Sequence, residues 1–161
     1  GKAVAFQEAL KPEYKDYCKQ IISNADTLAQ SMRDLGYNLI SGGTDTHLIL
    51  IDLSDKNITG KLAEIKLEEA GITTNKNMIP YDEKSPFITS GIRIGTPALT
   101  TRGMKNDEML FIAELIDKVL SNIENDSVIK EVNKEVRNLC TSFKLYENLV
   151  WILFENFLVI K

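Results

Sequence analysis

Thiol and imidazole are scarce in this chain, whose 161 residues include two cysteines and one histidine. Cys18 and Cys140 stand far apart, with no second pair and no histidine cluster. Neither a disulfide framework nor a metal site is therefore indicated, and reduced thiols in a cytoplasmic protein are the simplest reading. A surplus of one charge is lacking as well. Nineteen basic against 23 acidic residues give a formal charge of -4. There is no basic stripe and no interleaving of aromatics with cations, which argues against a nucleic-acid partner. Long apolar runs are missing too. The most apolar stretch, residues 149–160, is interrupted by Glu155 and Asn156 and is too short to span a bilayer. No repeat, low-complexity segment or signal-peptide layout is present.

What remains is an ordinary globular composition, 43% apolar and 26% charged, sufficient for one compact domain with a sizeable core. The chain opens Gly1-Lys2-Ala3-Val4-Ala5-Phe6, without methionine and already in a helical pattern, and is expected to be a piece of something longer.

Hydrophobic period sets out the elements. Tyr14, Tyr17, Cys18, Ile21, Ile22, Ala25, Leu28, Ala29, Met32 and Leu35 recur at spacings of three and four, which predicts one apolar stripe on a helix from Pro12 to a stop at Gly36. Pro12 suits a first helical turn, so residues 1–10 are expected to form a preceding helix that bends or breaks there. Residues 47–53 are β-branched and apolar, and read as a central strand. Thr59 is placed to cap a helix over residues 60–70 that Gly71 ends. Residues 72–74 and 91–94 read as strands, and residues 75–89 as a long irregular loop. Two further apolar stripes follow. One comprises Met109, Ile112, Ala113, Ile116, Val119, Leu120 and Ile123, with Asn106 or Asp107 placed to cap. The other comprises Val128, Ile129, Val132, Val136 and Leu139. This order predicts an α+β fold, a small antiparallel or mixed sheet with helices packed on it.

Chemistry concentrates around Arg93. Between Lys84 and Arg102 it is the only charged residue, and Gly91 and Gly95 bracket it, so another molecule or segment can approach the backbone closely. A guanidinium in apolar surroundings needs an anion, and a planar carboxylate held by two hydrogen bonds fits best. That anion is either an Asp or Glu of the same fold or a ligand; the residues leave both open. His47 heads an apolar strand with no nucleophile or metal-ligand spacing around it, and reads as a hydrogen-bonded structural histidine. Asp82, Glu83 and Lys84 read as a solvated connection unless their loop binds a ligand.

The motifs Ser41-Gly42-Gly43-Thr44-Asp45-Thr46-His47-Leu48, Asn75-Lys76-Asn77, Ser85-Pro86-Phe87 and Ser90-Gly91-Ile92-Arg93-Ile94-Gly95-Thr96-Pro97-Ala98 closely resemble the C-terminal part of serine hydroxymethyltransferase, also called glycine hydroxymethyltransferase. The resemblance runs from Gly1 to about Tyr146. It implies a transferase of one-carbon metabolism that interconverts serine plus tetrahydrofolate with glycine plus 5,10-methylenetetrahydrofolate. Pyridoxal 5'-phosphate would be the cofactor and tetrahydrofolate the cosubstrate. It further implies a small domain like that of fold-type I aminotransferase-like enzymes, and a homodimer or homotetramer in the full-length protein. Arg93 matches the arginine that clamps the amino-acid carboxylate. Asn77, Ser85, Pro86 and Phe87 match folate-binding positions near the pterin. An amide that gives and accepts hydrogen bonds, beside an aromatic next to a proline, suits a heterocycle.

The departures bear on function. Nothing here resembles the family's Thr-His-Lys-Thr run, so the cofactor lysine and the residues that hold the phosphate are missing, and no catalytic residue is assigned. Residues 1–35 are expected to be linking helices from a missing large domain, 36–147 the small domain, and 148–161 an apolar extension. The family ending, Cys-x-x-aromatic-Pro-x-Tyr, is matched by Cys140, Phe143 and Tyr146 with Lys144 in place of proline. The extension is expected either to dock on the domain as a strand or helix or to present an exposed interface. The chain alone is expected to be inactive. The competing reading is a stand-alone carboxylate- or folate-binding module, or the remnant of a split gene.

Overall fold

The computed structural model describes residues 1–145 and the backbone of residues 158–159. Helix α1, Lys2–Ala9, buries none of its residues. Helix α2 spans Pro12–Asp34 with Pro12 in its first turn. The residue before a proline is pushed out of the helical region, and Lys11 is accordingly extended, at φ -76° and ψ 149°. Leu10 and Lys11 thus separate the two helices at the expected place. Gly36, at φ 81°, ends α2. Its N–H reaches the Arg33 carbonyl and the Tyr37 N–H reaches the Met32 carbonyl, the paired closure that a left-handed residue permits.

Strands β1 (Asn38–Leu39) and β2 (Leu48–Asp52) precede helix α3 (Gly60–Glu69); β3 (Ile72–Thr73), β4 (Asn75–Asn77) and β5 (Gly91–Gly95) follow it. Helices α4 (Pro97–Thr101), α5 (Asn106–Leu120) and α6 (Asp126–Ser142) come next, and then β6 (Leu158–Val159). The predicted α+β class holds. A four-stranded sheet has the order β1-β2-β5-β4, with every neighbouring pair antiparallel. Among the described residues six α-helices accompany it.

The period of two decides which face packs. Leu39, Ile49, Ile51, Ile92 and Ile94 are all buried, in one core with Leu28 and Met32 of α2, Ala63 and Leu67 of α3, Ile112 and Ile116 of α5 and Val132 of α6. Burying each isoleucine contributes about 2 kcal/mol. Thr59 caps α3, its side chain accepting from the Leu62 N–H. Among these apolar contacts lies a polar tie. Asn24, fully buried on α2, donates to Thr100 Oγ1 at 2.9 Å and to the Met104 carbonyl at 3.0 Å, and accepts from Gln20 Nε2 at 2.8 Å. Thr96 Oγ1 donates to the Ile21 carbonyl at 2.8 Å.

Four expectations are revised. The apolar stripe of α2 is buried only from Ile21 onward, while Tyr14 and Ile22 are exposed. The cap of α5 is neither Asn106 nor Asp107: Lys105 occupies that position and its N–H is held by Glu108 Oε2 at 2.7 Å. The Asn106 amide instead donates to Thr27 Oγ1 at 2.6 Å and Ser23 Oγ at 2.9 Å on α2. The segment expected as a loop from residue 75 begins with β4, which pairs with β5. The strand at 72–73 joins no part of the main sheet but pairs in parallel with β6, Ile72 opposite Leu158. Two residues of the apolar extension thus dock as a strand. The rest of that extension, and Tyr146 of the family-like ending, lie outside the described residues.

Candidate functional site

Strand β5 lies inside the sheet, between β2 and β4. Its Ile92 and Ile94 enter the core, so Arg93 between them faces the opposite side. Residues opposite one another in an antiparallel pair share a face, and Arg93 stands opposite Leu50 on β2 and Asn75 on β4. Gly91 stands opposite Asp52 and Asn77. This face therefore carries Leu48, Leu50, Asp52, Asn75, Asn77 and Arg93, none of them buried.

No carboxylate of the described fold answers Arg93. It enters none of the ion pairs found among the described residues. Its Nε is buried with no hydrogen-bond partner. Asp52, on the same face, is engaged elsewhere, accepting from Asn38 Nδ2 at 3.2 Å and from the Ser54 N–H at 2.8 Å. Arg33, Arg102 and Arg137, by contrast, donate to the Gly42 carbonyl, the Phe143 carbonyl and Asn133 Oδ1. A buried donor left unpaired is costly. Arg93 is thus a cation equipped for an anion that the described residues do not supply.

Beside it, residues 40–46 with Leu48 and Leu50 line a cavity of about 510 Å³. The floor of this cavity is the face that bears Arg93. Threonine hydroxyls build the wall: Thr44 Oγ1 donates to the Leu48 carbonyl at 2.6 Å and accepts from the Thr46 N–H at 3.0 Å. The sequence motif at residues 41–48 signals a structured turn; its place over the open face depends on strand order.

The glycine at 91 admits a segment of the same chain. A Cβ there would lie 2.7 Å from the Ile51 carbonyl oxygen and 2.8 Å from Ile79 Cγ2. Ile79 begins the loop that leaves β4 and returns at Ser90. Asp82 organises that loop. Its carboxylate accepts from the Ile79 N–H at 3.3 Å, the Lys84 N–H at 3.0 Å, the Ser90 N–H at 2.8 Å and Ser90 Oγ at 2.7 Å. Burial pushes the carboxyl upward, but the Lys84, Ser90 and Ile79 donors outweigh it and hold the pKa down at about 2. The reading of Asp82 as part of a solvated connection is corrected. Thr89, buried at φ 58°, is a β-branched residue in the left-handed region. Its carbonyl accepts from the Gly60 N–H, and that of Ile88 from the Lys61 N–H, pinning the loop to the first turn of α3.

The sequence-chosen residues fall into two groups. Asn77 shares the face of Arg93 and donates from Nδ2 to the Met78 carbonyl at 2.7 Å. Ser85, Pro86 and Phe87 form an exposed turn in which the Ser85 carbonyl accepts from the Ile88 and Thr89 N–H groups. Phe87 is 81% exposed, and Met78, Tyr81 and Ile88 are exposed nearby in the loop. Among the described residues no hydrogen bond joins this turn to Asn77 or Arg93. His47 differs from expectation, since its side chain is exposed and only its carbonyl is used, accepting from the Thr96 N–H. Cys18 and Cys140 are free thiols, and burial raises the pKa of Cys140. No group of three or more metal-ligating side chains occurs among the described residues, and none of the described helices is long and apolar enough to cross a membrane.

Fold and face together define an α+β domain, helix-backed on one side of its sheet and presenting on the other a cation without a partner among the described residues. The chain belongs to the serine hydroxymethyltransferase family, whose model matches residues 1–116. It is 57% identical over 143 residues to a curated serine hydroxymethyltransferase of Chlorobium phaeovibrioides (strain DSM 265 / 1930). That similarity covers 87% of this chain and 32% of the relative. The chain spans about a third of the length of the curated relative it matches.

Proposed function

We propose that this chain is the substrate-side portion of a serine hydroxymethyltransferase, a cytoplasmic enzyme that interconverts serine plus tetrahydrofolate and glycine plus 5,10-methylenetetrahydrofolate. The observation that carries this reading is the buried, unpartnered Nε of Arg93 on an open sheet face. In this role the guanidinium receives the amino-acid carboxylate through two hydrogen bonds and fixes the direction of the bond to be broken. Leu50 and Asn75, opposite Arg93 in the sheet, limit where the rest of the amino acid lies. Asn77 keeps an amide oxygen available for a pterin, while Pro86 and Phe87 supply a flat apolar wall and Ser85 a hydroxyl.

Pyridoxal 5'-phosphate, when bound, supplies the electron sink for this chemistry. Among the described residues no free amine stands ready for it beside Arg93. Lys76 on β4 is paired with Glu64 at 3.1 Å and Lys84 in the loop donates to Ser90 Oγ at 3.1 Å, so neither offers a free amine beside Arg93. No step is therefore assigned to the cofactor in this chain, and the chain alone is expected to turn over no serine. Residues 1–35 fit the role of a connection to the remainder of the enzyme: α1 buries nothing and exposes Val4 and Phe6. A helix of this length has little stability without a partner surface. Residues 36–147 then form the small domain, 148–161 an extension, and the full-length protein a homodimer or homotetramer.

Calorimetric titration of glycine and serine into the wild-type chain and Arg93→Ala tests the reading. Loss of two charge-assisted bonds of about 1.5 kcal/mol each predicts roughly a hundredfold weaker binding, with no loss of folding stability. Arg93→Lys recovers only part of the affinity, because an ammonium lacks the planar fork. Equal affinity of wild type and Arg93→Ala for the carboxylate overturns the assignment.

A further inference from the structure

We propose that Asp82 is the positioning residue of the candidate site, holding the loop between β4 and β5 as one preformed piece so that its turn at residues 85–87 meets the folate. The proposal rests on the folate reading above and deepens it. The geometry is that of a hub. One carboxylate oxygen takes the Lys84 N–H and Ser90 Oγ, the other the Ile79 and Ser90 N–H groups. Ile79 and Ser90 are the two ends of the loop, so a single side chain closes it as a staple would.

The tie also reaches the scaffold. Ser90 is buried, its carbonyl accepts from the Leu53 N–H at the end of β2, and its hydroxyl additionally accepts from Lys84 Nζ at 3.1 Å. Gly91 follows it and opens β5, the strand of Arg93. Thr89 and Ile88 are fastened to α3. By contrast, the tip around Asp82 is bare: Tyr81 before it is fully exposed at φ 59°, and Glu83, Ser85, Pro86 and Phe87 after it are exposed. Rigid ends and a bare apolar tip describe a surface held ready for a flat ligand, whose ordering cost is already met in the unliganded chain. The Lys84, Ser90 and Ile79 donors that make the tie also hold the carboxyl pKa down at about 2, so it is the anion at neutral pH.

The test compares wild type with Asp82→Asn, Asp82→Glu and the neighbouring control Glu83→Gln. Asparagine keeps the size of the side chain but places a donor where two N–H groups point. Two readouts are used: the rate of tryptic cleavage after Lys84, and dissociation constants for tetrahydrofolate and for glycine. A lost charge-assisted bond is worth about a factor of ten. Asp82→Asn should therefore be cleaved about tenfold faster and bind tetrahydrofolate about tenfold more weakly, while glycine affinity stays at the wild-type value. Glu83→Gln should match wild type in both. Partial recovery by Asp82→Glu supports a hub that depends on the carboxylate. Should Asp82→Asn fail to fold, Ser90→Ala, which removes only the hydroxyl bonds, is expected to show a smaller change of the same sign. Cleavage and folate affinity unchanged in the folded variants overturn the proposal. A wild-type chain that binds no tetrahydrofolate overturns the folate reading instead, and the cleavage comparison still decides whether Asp82 holds the loop.

Discussion

The two faces of the four-stranded sheet are made by the same strands and share almost nothing else. One face, Leu39, Ile49, Ile51, Ile92 and Ile94, is buried against helices. The other carries Leu48, Leu50, Asp52, Asn75, Asn77 and Arg93, none of them fully buried, and only its glycines, Gly91 and Gly95, are covered. Strand β5 shows the division most sharply. Two isoleucines on one side fix the strand, and one arginine on the other finds no partner among the described residues. The period of two lets five residues serve stability and recognition without compromise between them. Changes on the two faces should therefore be separable.

The strongest test of that separation is Ile94→Ala, which empties a fully buried position and is expected to lower the unfolding free energy in urea by about 3 kcal/mol. A loss below about 1 kcal/mol would mean that the helix-backed face is not what holds the sheet together. Gly60→Ala should come next, at about 2 kcal/mol. A Cβ there runs into the Gly91 carbonyl oxygen and Thr89 Oγ1, so relief requires moving the strand or the loop. Leu50→Ala, on the open face, is expected to cost less than about 1 kcal/mol, because its side chain is only half-buried. Arg93→Ala should leave the urea midpoint unchanged or raise it, since the side chain gives the described fold no bond. A large loss there would show that the open face has a structural duty and would blur the division.

How much of this was legible from the residues depends on the range of the interactions. Helices α2, α3, α5 and α6 and strands β2 and β5 announce themselves through their period, and Thr59 through its place before α3. Strand β4 does not: Asn75, Lys76 and Asn77 show no apolar alternation, and they become a strand only because β5 offers a free edge. The cap of α5 was misplaced for a similar reason. Asn106 is locally suited to capping, but Ser23 and Thr27 on α2 capture its amide, and no local rule sees a partner that far away. Arg93 was legible as an isolated cation, and the close approach at Gly91 was anticipated. That the approaching group is Ile79 was not. Asp82 was invisible because an aspartate among turn residues looks solvated until the four donors around it are in view. His47 failed in the opposite sense, since the head of an apolar strand turned out to be its exposed end.

The buried Asn24 on α2 carries a mechanical consequence. Sliding the helix along its axis by one turn, about 5.4 Å, would strip that amide of Thr100 and Met104 inside a dry core, at a cost of about 2 kcal/mol for the unpaired group. The helix therefore cannot behave as a piston in a sleeve. Its Ile21 carbonyl also accepts from Thr96, next to the last residue of β5. A one-turn slip would break this bond from Thr96 Oγ1 as well, so the register of α2 and the end of the strand that bears Arg93 are set together.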